Sequence, residues 1–252
     1  MTKVIVIGGS GLIGSKLVSK LNESGHEAIP ASPKSGVNTL TGEGLADVLK
    51  GAQVVVDVSN SPSFEERAAL DFFTTSTTNL LATAQAAGVG HYIALSVVGT
   101  DRLQESGYFR AKLAQERLIE ASPTPYTILH ATQFFEFLPS IADEATSGHT
   151  ARVSSALFQP IAAEDVAATL ATIAVGPPVN GIVEVAGPDR VSMAELVQRY
   201  LSKTGDSRQV VADRNARYYG LILNNESLTP GANPRLGSTT FEEWFSTYKP
   251  RS

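Results

Sequence analysis

The segment that decides the fold lies at residues 4–14 and has the sequence VIVIGGSGLIG. Its first four residues are apolar and β-branched, which predicts a short strand buried on both faces. Glycine and serine follow, and apolar residues then recur at helical spacing as far as Leu21. The order of strand, tight turn and helix, with glycines at 8, 11 and 14, is typical of a phosphate-binding loop.

A turn of this kind binds a dinucleotide mainly through its backbone. Its glycines allow a sharp turn, the close approach of a pyrophosphate and tight packing of the helix on the sheet. The helix N-terminus adds unpaired N–H groups and the positive end of the helix dipole. The alternative is a glycine-rich turn without a ligand. We expect these residues to surround the phosphates of a dinucleotide: Gly8, Ser10, Gly11, Leu12, Ile13 and Gly14.

Composition excludes several other classes of protein. The 252 residues suffice for one α/β domain or a domain with an appended lobe. A net charge of −5 argues against binding to nucleic acid or to an anionic membrane surface. Without cysteine, and with four histidines far apart in sequence, we expect no disulfide and no metal site. No apolar run has the length of a signal peptide or a membrane span, so we expect a cytoplasmic protein.

Strands and helices alternate along the first 130 residues. The predicted strands lie at 4–7, 27–32, 54–58, 91–96 and 126–129, with a weak candidate at 37–40. The predicted helices lie at 45–49, about 64–87 and about 104–121. This alternation predicts an α/β fold with a doubly wound parallel sheet, that is, a Rossmann fold. We expect residues 1–130 to form the dinucleotide-binding portion and 131–252 a smaller substrate-binding lobe, integrated with it as one compact unit.

The end of the second strand predicts the choice of cofactor. An acidic residue there would bind the ribose 2′-hydroxyl of NAD. This chain offers Ser32 and Lys34 instead, and a hydroxyl and an ammonium suit the 2′-phosphate of NADP. The alternative is a solvated turn, because serine, proline and glycine are also common in loops. Further along, Ser59 and Asn60 follow another buried strand, where we expect the backbone to run along the cofactor.

Two sites in this half are candidates for chemistry. Ser96 lies at the end of a predicted strand, and Tyr108 and Lys112 are four residues apart on a predicted helix. An ammonium within about 4–6 Å lowers the pKa of an acid by roughly 1–3 units. The expectation is therefore that Lys112 lowers the pKa of Tyr108, which then donates a proton to a carbonyl oxygen. Ser96 would hold the same oxygen. A Tyr-x-x-x-Lys pair also occurs by chance, so its position after Ser96 carries the argument.

At this point the chain resembles the short-chain dehydrogenase/reductase superfamily, in its atypical branch near the NmrA-like NAD(P)-binding proteins. The residues that carry the resemblance are the turn 8–14, Ser96, Tyr108 and Lys112. The resemblance implies that Tyr108 is the general acid/base, that Lys112 tunes it and binds the ribose, and that Ser96 orients the substrate carbonyl. Asn79 would hold a relay water. His130 stands at a strand end where relatives often carry arginine, so the resemblance does not determine what the substrate pocket binds.

The last third is predicted to hold the substrate. We expect Gln133, Phe134 and Phe135 to lie at the mouth of the crevice, where they would wall an apolar or aromatic substrate. The alternative is that the phenylalanines are core. A Ser-x-x-Glu spacing at 192–195 predicts a capping box at the start of a helix.

The function predicted from these residues is hydride transfer between NADP(H) and a small carbonyl- or quinone-type molecule. The alternative is a cofactor-sensing regulatory protein of the NmrA-like kind, which binds NAD(P) without turnover. Tyr108 and Lys112 distinguish the two, because a sensor needs no proton donor. We expect a small-molecule substrate, no nucleic acid or membrane partner, and a monomer or homodimer.

Overall fold

The computed structural model describes residues 1–249. The strands are β1 (Lys3–Ile7), β2 (Glu27–Ala31), β3 (Val54–Asp57), β4 (His91–Val97), β5 (Tyr126–Ala131), β6 (Thr146–Ser147), β7 (Thr150–Val153), β8 (Leu157–Phe158), β9 (Gly181–Ala186), β10 (Val191–Ser192), β11 (Gln209–Ala212), β12 (Arg217–Tyr218), β13 (Leu221–Ile222) and β14 (Arg235–Leu236). The helices are α1 (Leu12–Glu23), α2 (Leu45–Leu49), α3 (Glu66–Ala86), α4 (Gly107–Glu120), α5 (Leu138–Glu144), α6 (Ala163–Val175), α7 (Met193–Thr204) and α8 (Phe241–Thr247). Among residues 1–249, no helix combines the length and apolarity that crossing a membrane requires.

The central sheet has seven strands in the order β14-β9-β5-β4-β3-β1-β2. The pairs β1–β2, β1–β3, β3–β4 and β9–β14 are parallel, so the predicted doubly wound parallel sheet is confirmed. After β2 the chain crosses to the other side of β1, which makes the junction of β1 and β3 a topological switch point. Ligands bind at the carboxyl ends of the strands at such a point. The backbone hydrogen bonding between β1 and β3 extends to this edge of the sheet, because Val58 N–H donates to the carbonyl of Ile7 at 3.0 Å.

The first strand is buried as its sequence predicts. Val4, Ile5 and Val6 are fully inaccessible to solvent, and Ile7 is nearly so. On one side the core is completed by Leu80 of α3 and other apolar residues of the helices. Burial of each such side chain stabilises the fold by about 1.5–3 kcal/mol, which is why the sheet forms around this segment.

The chain divides into two compact units, each described here by itself. The first comprises residues 1–130 together with 166–183, and the second comprises 131–165 and the described residues from 184 onward. The segment 166–183 therefore belongs with the first unit, although it falls within the 131–252 portion of the sequence-based division. In the second unit, β7 pairs parallel with β11 and antiparallel with β6.

Two local predictions are wrong. Residues 37–40 form a turn and not a strand, because Asn38 Oδ1 accepts the N–H of Leu40 at 2.9 Å and so closes an Asx turn. The predicted capping box at 192–195 is absent, since α7 begins at Met193 without a side-chain cap. Instead, the Ser192 hydroxyl lies 3.5 Å from the carbonyl of Ser155.

Candidate cofactor and active site

The glycine turn between β1 and α1 depends on Gly8, Gly9 and Gly14 for its shape, and a Cβ on Gly9 would lie 2.6 Å from Cα of Pro30. Gly8 has a φ of +78°, in the left-handed region that favours glycine. A Cβ on Gly14 would lie 2.2 Å from the carbonyl oxygen of Gly8 and 2.6 Å from Cα of Gly9. Helix α1 can therefore pack this closely against the turn only because residue 14 has no side chain.

Gly11 differs, and it tests whether the turn fits a dinucleotide. A Cβ built on Gly11 would have one neighbour within 4 Å, the Gly8 oxygen at 3.3 Å. Gly11 is the N-cap of α1 and supplies no side-chain cap, and the first turn carries no acidic residue. The helix N-terminus is thus open to an anion. Ser10 and Leu12 are exposed beside it, whereas the side chain of Ile13 is buried. The residues present fit a pyrophosphate.

The end of β2 carries a short 3₁₀ turn at Pro33–Ser35. Ser35 Oγ accepts the N–H of Ser32 at 2.9 Å and donates to its carbonyl at 2.9 Å, which fixes the direction of the chain. Lys34 is exposed at this turn. The two residues predicted to select the cofactor therefore follow the strand that pairs with β1.

Asp57 ends β3 and is a site residue that the sequence analysis did not select. Its carboxylate accepts the N–H of Ser59 at 3.0 Å and the Ser59 hydroxyl at 2.6 Å. Tyr92 and Gln115 donate to its other oxygen at 3.3 and 3.2 Å. Burial raises the pKa of Asp57, and the contacts with Ser59 and the charge of Lys112 oppose that rise. Asp57 thus shapes the loop that begins at Ser59. In the sequence, the signal for this residue is a single aspartate at the end of an apolar strand.

Tyr108, in the first turn of α4, contacts that same loop. Its hydroxyl donates to Asn60 Oδ1 at 3.1 Å, and its ring packs against Phe64 and Phe73. Burial raises the pKa of Tyr108 to about 12, while the hydrogen bond with Asn60 opposes the rise. This corrects the expectation that Lys112 lowers the pKa of Tyr108. In the structure, Asn60 and not Lys112 is the polar partner of the phenol.

Lys112 lies one turn further along α4 and is buried. Its ammonium donates to the carbonyl of Leu95 at 2.9 Å and to Gln115 Oε1, and it lies 4.5 Å from the centre of the Phe73 ring. Burial lowers the pKa of Lys112 to about 8, against the opposing charges of Asp57 and Glu116. The ammonium therefore already has protein partners at the end of β4, and binding a ribose would require it to exchange one of them.

Ser96 lies at the end of β4 and joins a buried polar cluster. Its hydroxyl donates to Glu116 Oε1, which also lies 2.9 Å from His130 Nε2. Thr100 donates to Glu116 Oε2 at 3.3 Å. Glu116 was not selected from the sequence, although its position eight residues after Tyr108 and four after Lys112 places all three on one face of α4.

Asn79 has a different set of neighbours. Its side-chain amide donates to the carbonyl of Thr39 at 2.9 Å and to that of Leu40 at 3.1 Å. These contacts join α3 to the turn that replaces the predicted strand at 37–40. They account for an asparagine at this position without a relay water, and its catalytic role stays a prediction.

Gln133, Phe134 and Phe135 lie in the second unit. Phe135 is core, with its ring centre 5.5 Å from that of Trp244, which corrects its assignment to a substrate pocket. Phe134 is half-buried and stacks on the exposed Phe137 at 5.3 Å. Gln133 is buried, and its side-chain oxygen has no hydrogen-bond partner. Gln133 and Phe134 thus stay candidates for contact with a ligand.

The contrast between the two phenylalanines gives a stability prediction. Phe135→Ala is expected to lower the free energy of unfolding by about 3–5 kcal/mol, because it leaves a cavity in the core of the second unit. Phe134→Ala, the matched control, should cost about 1 kcal/mol, the scale of one aromatic pair. Urea unfolding followed by fluorescence of Trp244, the one tryptophan in the chain, measures both. Equal losses would show that Phe135 is not a core residue.

A family model described as NAD(P)H-binding matches residues 8–177, from the glycine turn to just beyond α6. The chain belongs to this NAD(P)H-binding family. The match begins at Gly8, whose turn fits a pyrophosphate. The resemblance stated from the sequence is thereby confirmed, and NAD(P) is the cofactor that the protein binds. No curated protein sequence matches the chain.

Solved structures share the fold of this NAD(P)H-binding protein. A dTDP-4-dehydrorhamnose reductase from Clostridium acetobutylicum has a TM-score of 0.67 at 16% identity, over 90% of this chain and 94% of that one. The enzyme of the same name from Bacillus anthracis, in complex with NADP, has a TM-score of 0.69 at 14% identity, over 99% and 93% of the two chains. A UDP-N-acetylglucosamine 4-epimerase from Bacillus cereus has a TM-score of 0.66 at 15% identity, over 84% and 85%.

Proposed function

We propose that the protein is an NADP(H)-dependent oxidoreductase that transfers hydride to or from a small carbonyl- or quinone-type substrate. The observation that carries the proposal is the position of Tyr108. Its protonated phenol contacts Asn60 in the loop after β3, in the same unit as the glycine turn. Acids that serve in catalysis lie where a ligand can reach them, and the carboxyl ends of parallel strands are such a place.

When bound, the nicotinamide supplies or accepts the hydride. Tyr108 then gives its proton to the substrate oxygen, because a pKa of about 12 keeps the phenol protonated at neutral pH. To do so, the hydroxyl exchanges Asn60 Oδ1 for the substrate oxygen. Lys112 holds the end of β4 through the carbonyl of Leu95, next to Ser96. That Ser96 and Lys112 contact the bound ligand is part of this proposal.

The preference for NADP over NAD rests on the turn after β2. Lys34 is exposed and Ser32 half-buried there, and no acidic residue occupies the strand end. A 2′-phosphate is recognised by charge-assisted hydrogen bonds, which an ammonium and a hydroxyl supply and a carboxylate would oppose. The Bacillus anthracis structure named above holds NADP, which agrees with this preference without deciding it.

Replacement of Lys34 tests the cofactor preference. Lys34→Ala is expected to weaken NADPH binding by about 1–2 kcal/mol, the scale of one charge-assisted contact at an exposed site. NADH binding should stay the same, since NADH lacks the 2′-phosphate. Lys50→Ala serves as a control, because Lys50 is also exposed but follows α2. Calorimetric titration with both cofactors measures the difference, and equal losses for NADPH and NADH contradict the assignment.

A substrate panel tests the reaction itself. NADPH oxidation is followed at 340 nm with ketones, aldehydes and quinones, and with the buffer alone. We expect turnover with at least one class above the buffer rate, and its loss in Tyr108→Phe. Binding of NADPH without turnover of any of the three classes contradicts the proposal.

A second candidate is a cofactor sensor, which binds NADPH without chemistry. It is favoured by one observation: the polar groups predicted to be catalytic already have protein partners. Tyr108 binds Asn60, Ser96 binds Glu116 and Lys112 binds Leu95. For a sensor, such contacts stabilise the free form, and binding of NADPH would rearrange them without turnover. The substrate panel therefore separates the two candidates.

A further inference from the structure

A buried carboxylate lies directly behind Ser96. Ser96 and Glu116 are only 5% and 3% exposed. Ser96 donates to one carboxylate oxygen and Thr100 to the other, and His130 Nε2 approaches the first. Three neighbours thus converge on Glu116 from β4, from the loop that follows it and from β5. The arrangement is more than a chance contact, since burying a carboxylate costs several kcal/mol unless it is well partnered.

Counting protons determines what Ser96 can offer a ligand. A serine hydroxyl has one proton and two lone pairs, and an ionised carboxylate can only accept. Burial by itself raises the pKa of Glu116, but the contacts with His130 and Ser96, together with Lys112, outweigh it and hold the pKa below the ordinary value. The carboxylate is therefore ionised and accepts the hydrogen bond of the Ser96 hydroxyl, whose proton points toward it. A lone pair of Ser96 Oγ then remains to accept a hydrogen bond from another group.

We propose that Glu116 is a positioning residue that fixes the Ser96 hydroxyl as a hydrogen-bond acceptor, so that Ser96 takes an N–H or O–H group of the bound ligand. This rests on the proposed function, and it reverses the role that the sequence suggested for Ser96. Ser96 does not donate to the oxygen that becomes charged during hydride transfer, and Tyr108 alone among the predicted residues gives that oxygen a proton. Two ligand groups have the required chemistry: the carboxamide N–H of the nicotinamide, or a hydroxyl of the substrate.

Four variants test this inference. Ser96→Ala removes the acceptor. Glu116→Met keeps a side chain of similar length but has no carboxylate, so the Ser96 hydroxyl is free to rotate and to donate to another group. Glu116→Gln retains an oxygen that still accepts from Ser96 and places its NH₂ toward Thr100, whose hydroxyl also accepts. Thr100→Val is the matched control, because it removes a donor to Glu116 and leaves Ser96 untouched.

Two quantities are measured for each variant, the dissociation constant of NADPH by fluorescence titration and the KM and kcat for a carbonyl from the panel. Ser96→Ala is expected to raise either the NADPH dissociation constant or KM by about 3–10-fold, the range of one lost hydrogen bond. Glu116→Met should raise the same quantity by no more than Ser96→Ala does, because the serine keeps its lone pairs and loses only its fixed orientation. The Ser96→Ala/Glu116→Met double variant should lose no more than Ser96→Ala alone. Glu116→Gln should lose less than Glu116→Met, and Thr100→Val should stay within about twofold of the wild type. A raised dissociation constant assigns the donor to the cofactor, and a raised KM alone assigns it to the substrate.

Other results overturn the inference. If Ser96→Ala lowers kcat and changes neither the dissociation constant nor KM, or if Glu116→Met raises kcat, Ser96 is a donor to the charged oxygen. If Ser96→Ala changes none of the three, Ser96 meets no ligand. If Glu116→Met does not fold, Ser96→Ala and Glu116→Gln decide between the same outcomes. If no carbonyl is reduced, the proposed function fails by that result, and an unchanged NADPH dissociation constant in Ser96→Ala then overturns this inference separately.

Discussion

Tyr108→Phe is expected to lower turnover of an accepted carbonyl by about 10²–10⁴-fold, the usual contribution of general acid catalysis. The change removes one hydroxyl and leaves the ring that packs against Phe64 and Phe73. Packing and the affinity for NADPH should therefore stay close to those of the wild type. Steady-state kinetics gives the loss in kcat, and fluorescence titration gives the dissociation constant of NADPH.

The control is Tyr126→Phe, which removes a hydroxyl from the first residue of β5, at the end of the strand opposite to the carboxyl edge. It should leave kcat unchanged. The pH dependence gives a second check: because the pKa of Tyr108 is about 12, the phenol keeps its proton through the neutral range, and a fall in rate near pH 8 would report Lys112 instead. Full turnover in Tyr108→Phe would show that the proton comes from water.

The predicted elements that proved right depend on local patterns. Residues 4–7 form a buried strand because four β-branched apolar residues can hardly be placed elsewhere in a compact protein. The helix at 45–49 and the strand predicted at 91–96, which the structure extends to Val97, likewise follow from the order of apolar residues. The strand predicted at 37–40 does not form because of one side chain. Asn38 Oδ1 accepts the N–H of Leu40 and closes a turn after Val37.

The candidate site was predicted in its positions but not in its contacts. Ser96, Tyr108 and Lys112 lie on β4 and α4 as expected, whereas their partners come from distant parts of the sequence. Asn60, 48 residues before Tyr108, accepts the hydrogen bond of the phenol, and Glu116, 20 residues after Ser96, accepts that of the serine hydroxyl. Such pairings depend on the sheet order, which brings β3, β4 and β5 side by side. Periodicity along the chain holds no information about them.

Helix α4 carries three residues of the candidate site. Its residues 108, 112 and 116 lie on one face. Tyr108 contacts the loop after β3, whereas Lys112 and Glu116 both reach the end of β4 and Glu116 also contacts His130 of β5. Tyr108 and Glu116 therefore act through different contacts. For that reason, the Tyr108 and Glu116 variants should affect different kinetic quantities, kcat in the first case and the dissociation constant or KM in the second.

Two glycines of the turn should fail in opposite ways when each is changed to alanine. Gly14→Ala places a Cβ 2.2 Å from the Gly8 oxygen, so α1 must move, and the free energy of unfolding should fall by about 3 kcal/mol or more. Gly11→Ala meets only one atom, at 3.3 Å, and its φ of −81° suits alanine, so stability should change by about 1 kcal/mol or less. Its methyl group instead occupies the space beside the open helix N-terminus. NADPH binding should then weaken by about 100-fold or more, equal to one or two lost hydrogen bonds to a charged group.

Urea unfolding and NADPH titration of both variants measure the two effects independently. The informative result is the crossed pattern: Gly14→Ala is unstable, whereas Gly11→Ala is stable but binds NADPH about 100-fold or more weakly. The crossed pattern distinguishes a binding glycine from a packing glycine, because a general weakening of the turn would lower stability and affinity together in both variants. A stable Gly11→Ala protein that binds NADPH as the wild type does would place the pyrophosphate away from the N-terminus of α1. The fit of the glycine turn to the cofactor would then have to be abandoned, while the parallel sheet around β1 would stand.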